Sequence, residues 1–156
     1  MGQFYSDTNA LLEKLNAVRK NKKIVFTNGC FDLLHIGHVK YLKEAKSKGD
    51  FLIVGINADA SVKRLKGPTR PIQSENDRSE ILAALESVDA TVIFTEDTPE
   101  NLIKMVHPDV LVKGGDWKIN QIVGGEFVQG YGGQVLSLMF IDGKSTTSIV
   151  SKIEKS

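Results

Sequence analysis

Short β-branched runs alternate with amphipathic stretches along the whole chain. Residues 7–20 place Leu11, Leu12, Leu15 and Val18 on one helical face, and Ser6, Asp7 or Thr8 is available as its cap. Ile24 to Thr27 is a continuous apolar run of the kind found in buried strands. A helix is predicted over 36–48, with Val39, Leu42 and Ala45 inward, and a second strand over Phe51 to Ile56. A short helix follows over 59–65, ended by Gly67-Pro68, and another over 75–86 carries Ile81, Leu82 and Leu85. Thr91 to Phe94 is the third strand. Thr98-Pro99 then opens a helix to about Val106, with proline where a missing N–H costs nothing. Val110 to Val112 and Val135 to Leu138 are the fourth and fifth strands, with a helix over 120–130 between them. Ser145 or Thr146 caps a last helix whose Ile149, Val150 and Ile153 point inward.

Five strand–helix alternations predict an α/β fold: a Rossmann-like, doubly wound, five-stranded parallel sheet with helices on both faces. One domain fills residues 1–156, and residues 1–22 form an N-terminal helical extension. In such sheets ligands bind at the carboxyl ends of the strands, where the strand order reverses. Chemistry is therefore expected in the loops after Thr27, Ile56, Phe94, Val112 and Leu138.

Composition narrows the functional classes. Twenty Lys and Arg against 19 Asp and Glu leave a formal charge of +1, which argues against a dedicated nucleic-acid binder or a polybasic membrane anchor. One cysteine, Cys30, excludes an internal disulfide framework and a cysteine-rich zinc site. No apolar run is long enough to span a bilayer, and Met1 to Lys23 has no secretory core, so a cytoplasmic location is expected.

The first loop runs from Thr27 through Asn28, Gly29, Cys30, Phe31 and Asp32 to His35, Ile36, Gly37 and His38. It leaves a strand and enters a helix, so two imidazoles and a glycine meet at a helix N-terminus, where free N–H groups and the dipole attract anions. His-x-x-His offers two metal ligands at most, and no third partner accompanies it, so no protein-built metal site is expected. The sequence has neither a Walker loop nor a Gly-x-Gly-x-x-Gly after the first strand.

The stretch GCFDLLHIGHVKYL resembles the signature of the cytidylyltransferase-like nucleotidyltransferases, whose motif is HxGH. NADASVKRLKGPTRPI (57–72), EDTPENLI (96–103), HPDVLVKGGDW (107–117) and DGKSTTSIVSKI (142–153) narrow the resemblance to the D-glycero-β-D-manno-heptose 1-phosphate adenylyltransferases, from about Lys22 onward. That resemblance implies ATP as a substrate with Mg²⁺, heptose 1-phosphate as acceptor, ADP-heptose and pyrophosphate as products, and a homodimer. Because the acceptor's phosphate is itself the nucleophile, catalysis is positioning and charge stabilisation.

On this reading His35 and His38, with Lys40, are the catalytic group. Asn28, Gly29, Cys30, Phe31 and Gly37 form a nucleotide cradle, with Cys30 a small buried residue beneath it. Lys113, Gly114 and Asp116 follow the fourth strand, where two glycines let a base approach the backbone. Ser145, Thr146 and Thr147 open the last helix and offer hydroxyls and N–H groups to phosphates, beyond the one hydroxyl an ordinary cap needs. The acceptor side is assigned Asp32, Asn57, Asp59, Arg70 and Arg78. Asp32 either contacts substrate or orders its loop, and Asp59 is equally a helix cap. Lys66 to Pro71 is a stiff basic loop, and Arg78 is expected to pair with a carboxylate or a phosphate. Trp117 stacks near the site or packs on a partner.

The CTP-using glycerol-phosphate type carries Arg-Thr-x-Gly-Ile-Ser-Thr-Thr before the last helix, whereas Ile141 to Thr147 has no such arginine, which favours ATP. A CTP-dependent cytidylyltransferase for glycerol 3-phosphate or a similar ester remains the alternative, and a silent nucleotide-binding module is a third reading. About 22 residues before the first strand suggest a stand-alone form of an enzyme often fused behind a sugar kinase.

Overall fold

The computed structural model describes residues 2–140 and 144–156. Its elements in chain order are β1 (Gln3–Tyr5), α1 (Thr8–Val18), β2 (Ile24–Gly29), α2 (Ile36–Lys46), β3 (Phe51–Asn57), α3 (Asp59–Lys66), α4 (Glu75–Ala83), β4 (Ala90–Phe94), α5 (Glu100–Val106), β5 (Val110–Gly114), a 3₁₀ turn (Ile119–Gln121), α6 (Gly125–Gly130), β6 (Gln134–Leu138) and α7 (Thr146–Glu154). The sheet is wholly parallel in the order β1-β4-β3-β2-β5-β6.

The doubly wound sheet is present, with six strands among the described residues rather than five. The sixth is β1, three residues pairing Gln3 with Ala90 and Tyr5 with Val92 at the sheet edge. It is too short for a periodicity to show, and it lies in the stretch expected to be wholly helical. The helix expected over 120–130 is two pieces, a 3₁₀ turn and α6, interrupted by Gly124 at φ +81°.

The strands are apolar on both faces because each face is covered by helices. In β2, Ile24 and Phe26 point to one core and Val25 to the other. In β3, Phe51 and Ile53 oppose Leu52, Val54 and Ile56. Leu11 and Leu15 of α1, Leu102, Ile103 and Val106 of α5 and Val128 of α6 fill the first core. Tyr41, Leu42 and Ala45 of α2 and Leu82 of α4 fill the second. The last helix departs from expectation: Ile149 and Val150 are half-buried and Ile153 is 64% exposed, so Thr146 is its one buried residue. Its apolar face covers no core.

Strand order reverses at β2. The chain moves from β2 to β3 and β4 on one side, then crosses to β5 and β6 on the other. The β2–β5 ladder holds only at Val25–Val110 and Phe26–Leu111. Beyond it β2 stays with β3 through Gly29 and β5 stays with β6 through Gly114. The two halves of the sheet therefore part at their carboxyl ends, the crevice where this fold class binds ligands.

Candidate active site

A cavity of about 600 Å³ occupies that crevice. Its floor is the end of β2 and the following loop, Asn28 to Asp32, with His38 and Tyr41 of α2 above. Lys113, Gly114 and Gly115 close one side and Asn57, Lys66 and Arg70 the other.

The β2–α2 loop is held in an unusual backbone. Phe31 and Leu33 have φ of +49° and +54°, left-handed values that non-glycine residues rarely adopt. His35 is the N-cap of α2. Its Nδ1 accepts the Gly37 N–H at 3.1 Å, and the His35 N–H donates to Nδ1 of His38 at 3.4 Å. The rings stack with centroids 3.8 Å apart. Since both Nδ1 atoms accept, both ring protons sit on Nε2. Burial, then the neighbouring His35 and Lys66, pushes His38 down to about 4. Burial and Lys144 lower His35. The pair is thus two neutral N–H donors at neutral pH. A Cβ on Gly37 would stand 2.8 Å from the His35 ring, so only glycine leaves that ring its place.

The start of α7 is joined to this loop. The Thr146 hydroxyl donates to the Asp32 carbonyl at 2.5 Å and lies 3.4 Å from that of Leu33, and Thr146 lines the cavity. Ser145 Oγ caps α7 by accepting the Ser148 N–H at 3.0 Å. Two helix N-termini therefore meet at one mouth, an arrangement suited to phosphate oxygens. Thr147 is exposed and outside the cavity lining. Ile141, Asp142 and Gly143 lie outside the described residues.

Asp32 is buried and saturated. Its carboxylate accepts Arg70 Nε at 3.0 Å, the Ile72 N–H at 2.8 Å and the Gln73 N–H at 3.0 Å. Burial alone raises its pKa, but the two backbone donors and Arg70 outweigh that and hold it below the usual carboxylate range. Arg78 is also buried. It donates to the carbonyls of Gln73 (3.1 Å) and Cys30 (2.7 Å) and to Asp59 Oδ1 (2.8 Å). Of the acceptor-side group, the structure puts Asn57, Arg70 and the Asp32 segment on the cavity, while Asp59 and Arg78 stand behind it. Asn57 bonds Ser61 Oγ at 3.0 Å.

On the opposite wall, Gly115 has φ +109° and Phe140 lies over Gly114, where a Cβ would come within 2.3 Å of its ring. The backbone groups of this turn are engaged: Trp117 Nε1 donates to the Gly114 carbonyl at 3.0 Å, and the Ser137 hydroxyl to that of Gly115. Lys113 lines the cavity, 5.4 Å from the Trp117 ring, with its pKa lowered by burial. Burial likewise raises the Cys30 thiol, which keeps it protonated and weakly nucleophilic. Lys40 and Asp116 are exposed and outside the lining.

Sequence reasoning missed Tyr41 and Phe140. Tyr41 shares a 2.6 Å hydrogen bond with Thr27 Oγ1 and lies 5.3 Å from the Phe140 ring. Phe140 lies two residues past the end of β6, within the band of loops expected to carry chemistry, and its position was the available signal. Among the described residues no group of three or more His, Cys, Asp or Glu is gathered for a metal, and no helix is long and apolar enough to cross a membrane.

Residues 26–139 match the family model described as cytidylyltransferase-like, a range that runs from within β2 to just past β6 and holds all of the cavity lining except Phe140 and Thr146. The chain belongs to the cytidylyltransferase-like family. Within its range of relatives, the bifunctional protein HldE of Geotalea uraniireducens is 52% identical over 161 aligned positions, covering 98% of this chain and 33% of that protein. The bifunctional protein HldE of Pseudomonas fluorescens is 58% identical over 146 positions, 94% of this chain and 31% of its own. The chain thus spans about a third of the length of the curated relatives it matches. A crystal structure of the lipopolysaccharide core biosynthesis protein from Thermoplasma volcanium superposes with a TM-score of 0.64 at 28% identity, covering 80% of this chain and all of that one. The match and the superposition show the cytidylyltransferase-like fold.

Proposed function

We propose that this chain transfers AMP from ATP to D-glycero-β-D-manno-heptose 1-phosphate, releasing pyrophosphate and forming ADP-heptose. The observation that carries the reading is the junction of two helix starts at Thr146, beside the stacked Nε2–H donors of His35 and His38. The KGPTRP and LVKGGD segments, together with the similarity to the HldE relatives, support the choice of donor and acceptor.

In the reaction an oxygen of the acceptor's phosphate attacks the α-phosphorus of ATP in line. The new P–O bond forms as the bond from the α-phosphorus to the α–β bridging oxygen breaks, and pyrophosphate leaves. No side-chain nucleophile is required. His38 on the cavity lining, and His35 stacked on it beside that lining, donate hydrogen bonds to oxygens on which charge grows, held in place before the reaction begins. The N–H groups of α7 and the Lys144 charge, which reaches His35, favour the departing phosphates. Asn28, Gly29, Cys30, Phe31, Lys113, Gly114 and Phe140 enclose the nucleotide, and Gly37, outside the lining, leaves the His35 ring its place. Asn57 and Arg70 face the acceptor, and Asp32, Asp59 and Arg78 hold that side in shape. Mg²⁺ would come with ATP and supply charge neutralisation on its phosphates; among the described residues no cluster of three or more His, Cys, Asp or Glu is gathered to hold it by itself. We place the reaction in the cytoplasm and read the active form as a homodimer, which light scattering on the purified chain tests.

Pyrophosphate release is measured with Mg²⁺ and either ATP or CTP, against heptose 1-phosphate or glycerol 3-phosphate. Release with ATP and heptose phosphate alone is expected. Release with CTP and glycerol 3-phosphate replaces this reading with the cytidylyltransferase one. Nucleotide binding without release from any pair leaves a binding module. His38→Ala is expected to lower turnover by about 10²–10³-fold with the fold intact.

A further inference from the structure

The neutral histidine pair brings hydrogen bonds to the reaction centre but no charge. The lysine expected to supply one, Lys40, is exposed and outside the cavity lining, whereas Lys113 is part of it. Lys113 is half-buried, and among the described residues its ammonium makes no ion pair. Its neighbours are the Trp117 ring, 5.4 Å away, and the Cys30 thiol. Burial lowers its pKa, the mark of a charge short of solvent. A half-buried cation without a counter-charge is costly, so this one points to an anion that comes with a ligand. The other cations of the lining differ. Arg70 is paired with Asp32, and Lys66 is exposed, where water and salt screen it.

The strands carry that ammonium to the middle of the crevice. The last β2–β5 pair is Phe26 with Leu111, so Asn28 and Lys113, two residues further on, stand level on the two lips of the gap. Side chains alternate along a strand. Leu111 points to the core shared with α5 and α6, and Val112 to the core shared with α2, so Lys113 leaves β5 on the α5 side. His38 comes from α2, on the other face of the sheet. With the nucleoside along the β5 wall, the departing phosphates at the starts of α2 and α7 and the acceptor on the β3 side, the α-phosphorus lies where the three meet, over the gap. Neutral N–H donors reach it from one face of the sheet and a desolvated ammonium from the other.

We propose that Lys113 is a catalytic residue of the transfer, its ammonium stabilising the charge on the non-bridging oxygens of the α-phosphate as the acceptor oxygen attacks and pyrophosphate leaves. The proposal rests on the transferase reading and goes beyond enclosing the nucleotide, which is ground-state binding. In bound ATP those oxygens already bear negative charge. The attacking phosphate brings a second anion against them, so repulsion between the substrates grows toward the transition state. A cation beside them is therefore worth more there than with ATP alone. Lys113 acts by charge only: it neither forms a bond nor gives up a proton.

The test removes the charge and keeps the bulk, with Lys113→Met. Pyrophosphate release at saturating ATP and heptose 1-phosphate is expected to fall about 10²–10³-fold, the scale of one lost electrostatic contact to a transition state. The Kd of ATP, measured calorimetrically without acceptor, and the KM for heptose 1-phosphate are expected to move less than about fivefold. Methylammonium is expected to restore part of the rate of Lys113→Ala, where it fits the space left, and none of that of Lys113→Met, where the thioether fills it. A residue that only packs gives no such rescue. Should Lys113→Met fail to fold by circular dichroism, the rescue of Lys113→Ala decides: recovery supports the proposal and none overturns it. A Lys113→Met rate near that of wild type overturns it. So does a weakened Kd for ATP with an unchanged kcat, which makes Lys113 a binding residue. Wild type separates this proposal from the activity beneath it. If wild type works with CTP and glycerol 3-phosphate instead, the α-phosphorus is the same, and a comparable fall for Lys113→Met on that pair supports the proposal. No release from wild type with any pair is the failure of the transferase reading and takes the proposal with it. An active wild type with an equally active Lys113→Met is the failure of the proposal alone.

Discussion

Thr146 donates its hydroxyl to the carbonyl of Asp32, 114 residues away in sequence, and so ties the first turn of α7 to the loop that carries the histidines. Apart from that bond α7 buries little, with Ile153 mostly in water. The hydroxyl therefore sets where the second helix start points.

Thr146→Val keeps the shape and removes the donor. Loss of one buried hydrogen bond costs about 1 kcal/mol of stability. The larger expected effect is on turnover, because α7 is no longer registered against His35 and His38. Urea unfolding checks the first and pyrophosphate release the second. Full turnover with reduced stability would show that the junction serves packing alone.

Arg78 is a staple behind the cavity. It joins the Cys30 carbonyl to the Gln73 carbonyl and to Asp59, which binds the β2–α2 loop to α4. Arg78→Ala leaves Asp59 and two carbonyls without their donor and opens a large hole in a buried site. The expected loss is about 3–5 kcal/mol, read from the urea midpoint. Arg78→Lys keeps charge but reaches fewer of the three acceptors, and an intermediate loss is expected.

The strands and their loops were legible because β-branched runs and helix periods survive in a local window, and ligand loops then follow from the parallel topology. His35, Gly37 and His38 stood out because a strand, a glycine and a helix start coincide there. Arg78 and Asp32 show what a local window omits. The sequence leaves Asp32 between a substrate contact and loop ordering, and Arg78 between a carboxylate and a phosphate; the partners the structure gives them, Arg70 and the Cys30 carbonyl, lie 38 and 48 residues away. Lys40 sits one turn past Gly37, but its side chain leaves α2 toward solvent. The short edge strand β1 carries too few residues to show a period, and its partner, β4, is distant in the chain.

Gly37 is a steric requirement of the histidine pair. A methyl group there would lie 2.8 Å from Cε1 of the His35 ring and 3.4 Å from Cβ of Lys144. Gly37→Ala adds helix propensity at the start of α2, so the fold is expected to survive. The ring has to leave its cap position, and turnover is expected to fall by more than about tenfold, with Tm little changed. A normal rate in this variant would show that the His35 ring has freedom the geometry denies it.

Acid should weaken the fold through His38 before it reaches the carboxylates. Burial holds the imidazole at about 4 in the folded chain, against an ordinary 6.5 when unfolded. Between those values the unfolded chain binds the extra proton, so stability rises with pH across the interval and is fully present above about 6.5. His35 is shifted the same way and adds to the slope. Asp32 acts in a lower window, since its stabilising charge is lost only as pH falls below its ordinary 3.8. Tm followed by circular dichroism is therefore expected to drop from pH 7 to pH 5 in the wild type. His38→Gln, which keeps a polar side chain at the site but has no proton to gain, is expected to flatten that part of the curve. Its fall below pH 4, owed to Asp32, should remain. An unchanged slope between pH 7 and pH 5 would mean that His38 is not held neutral by burial, and with it would go the assignment of the ring proton to Nε2.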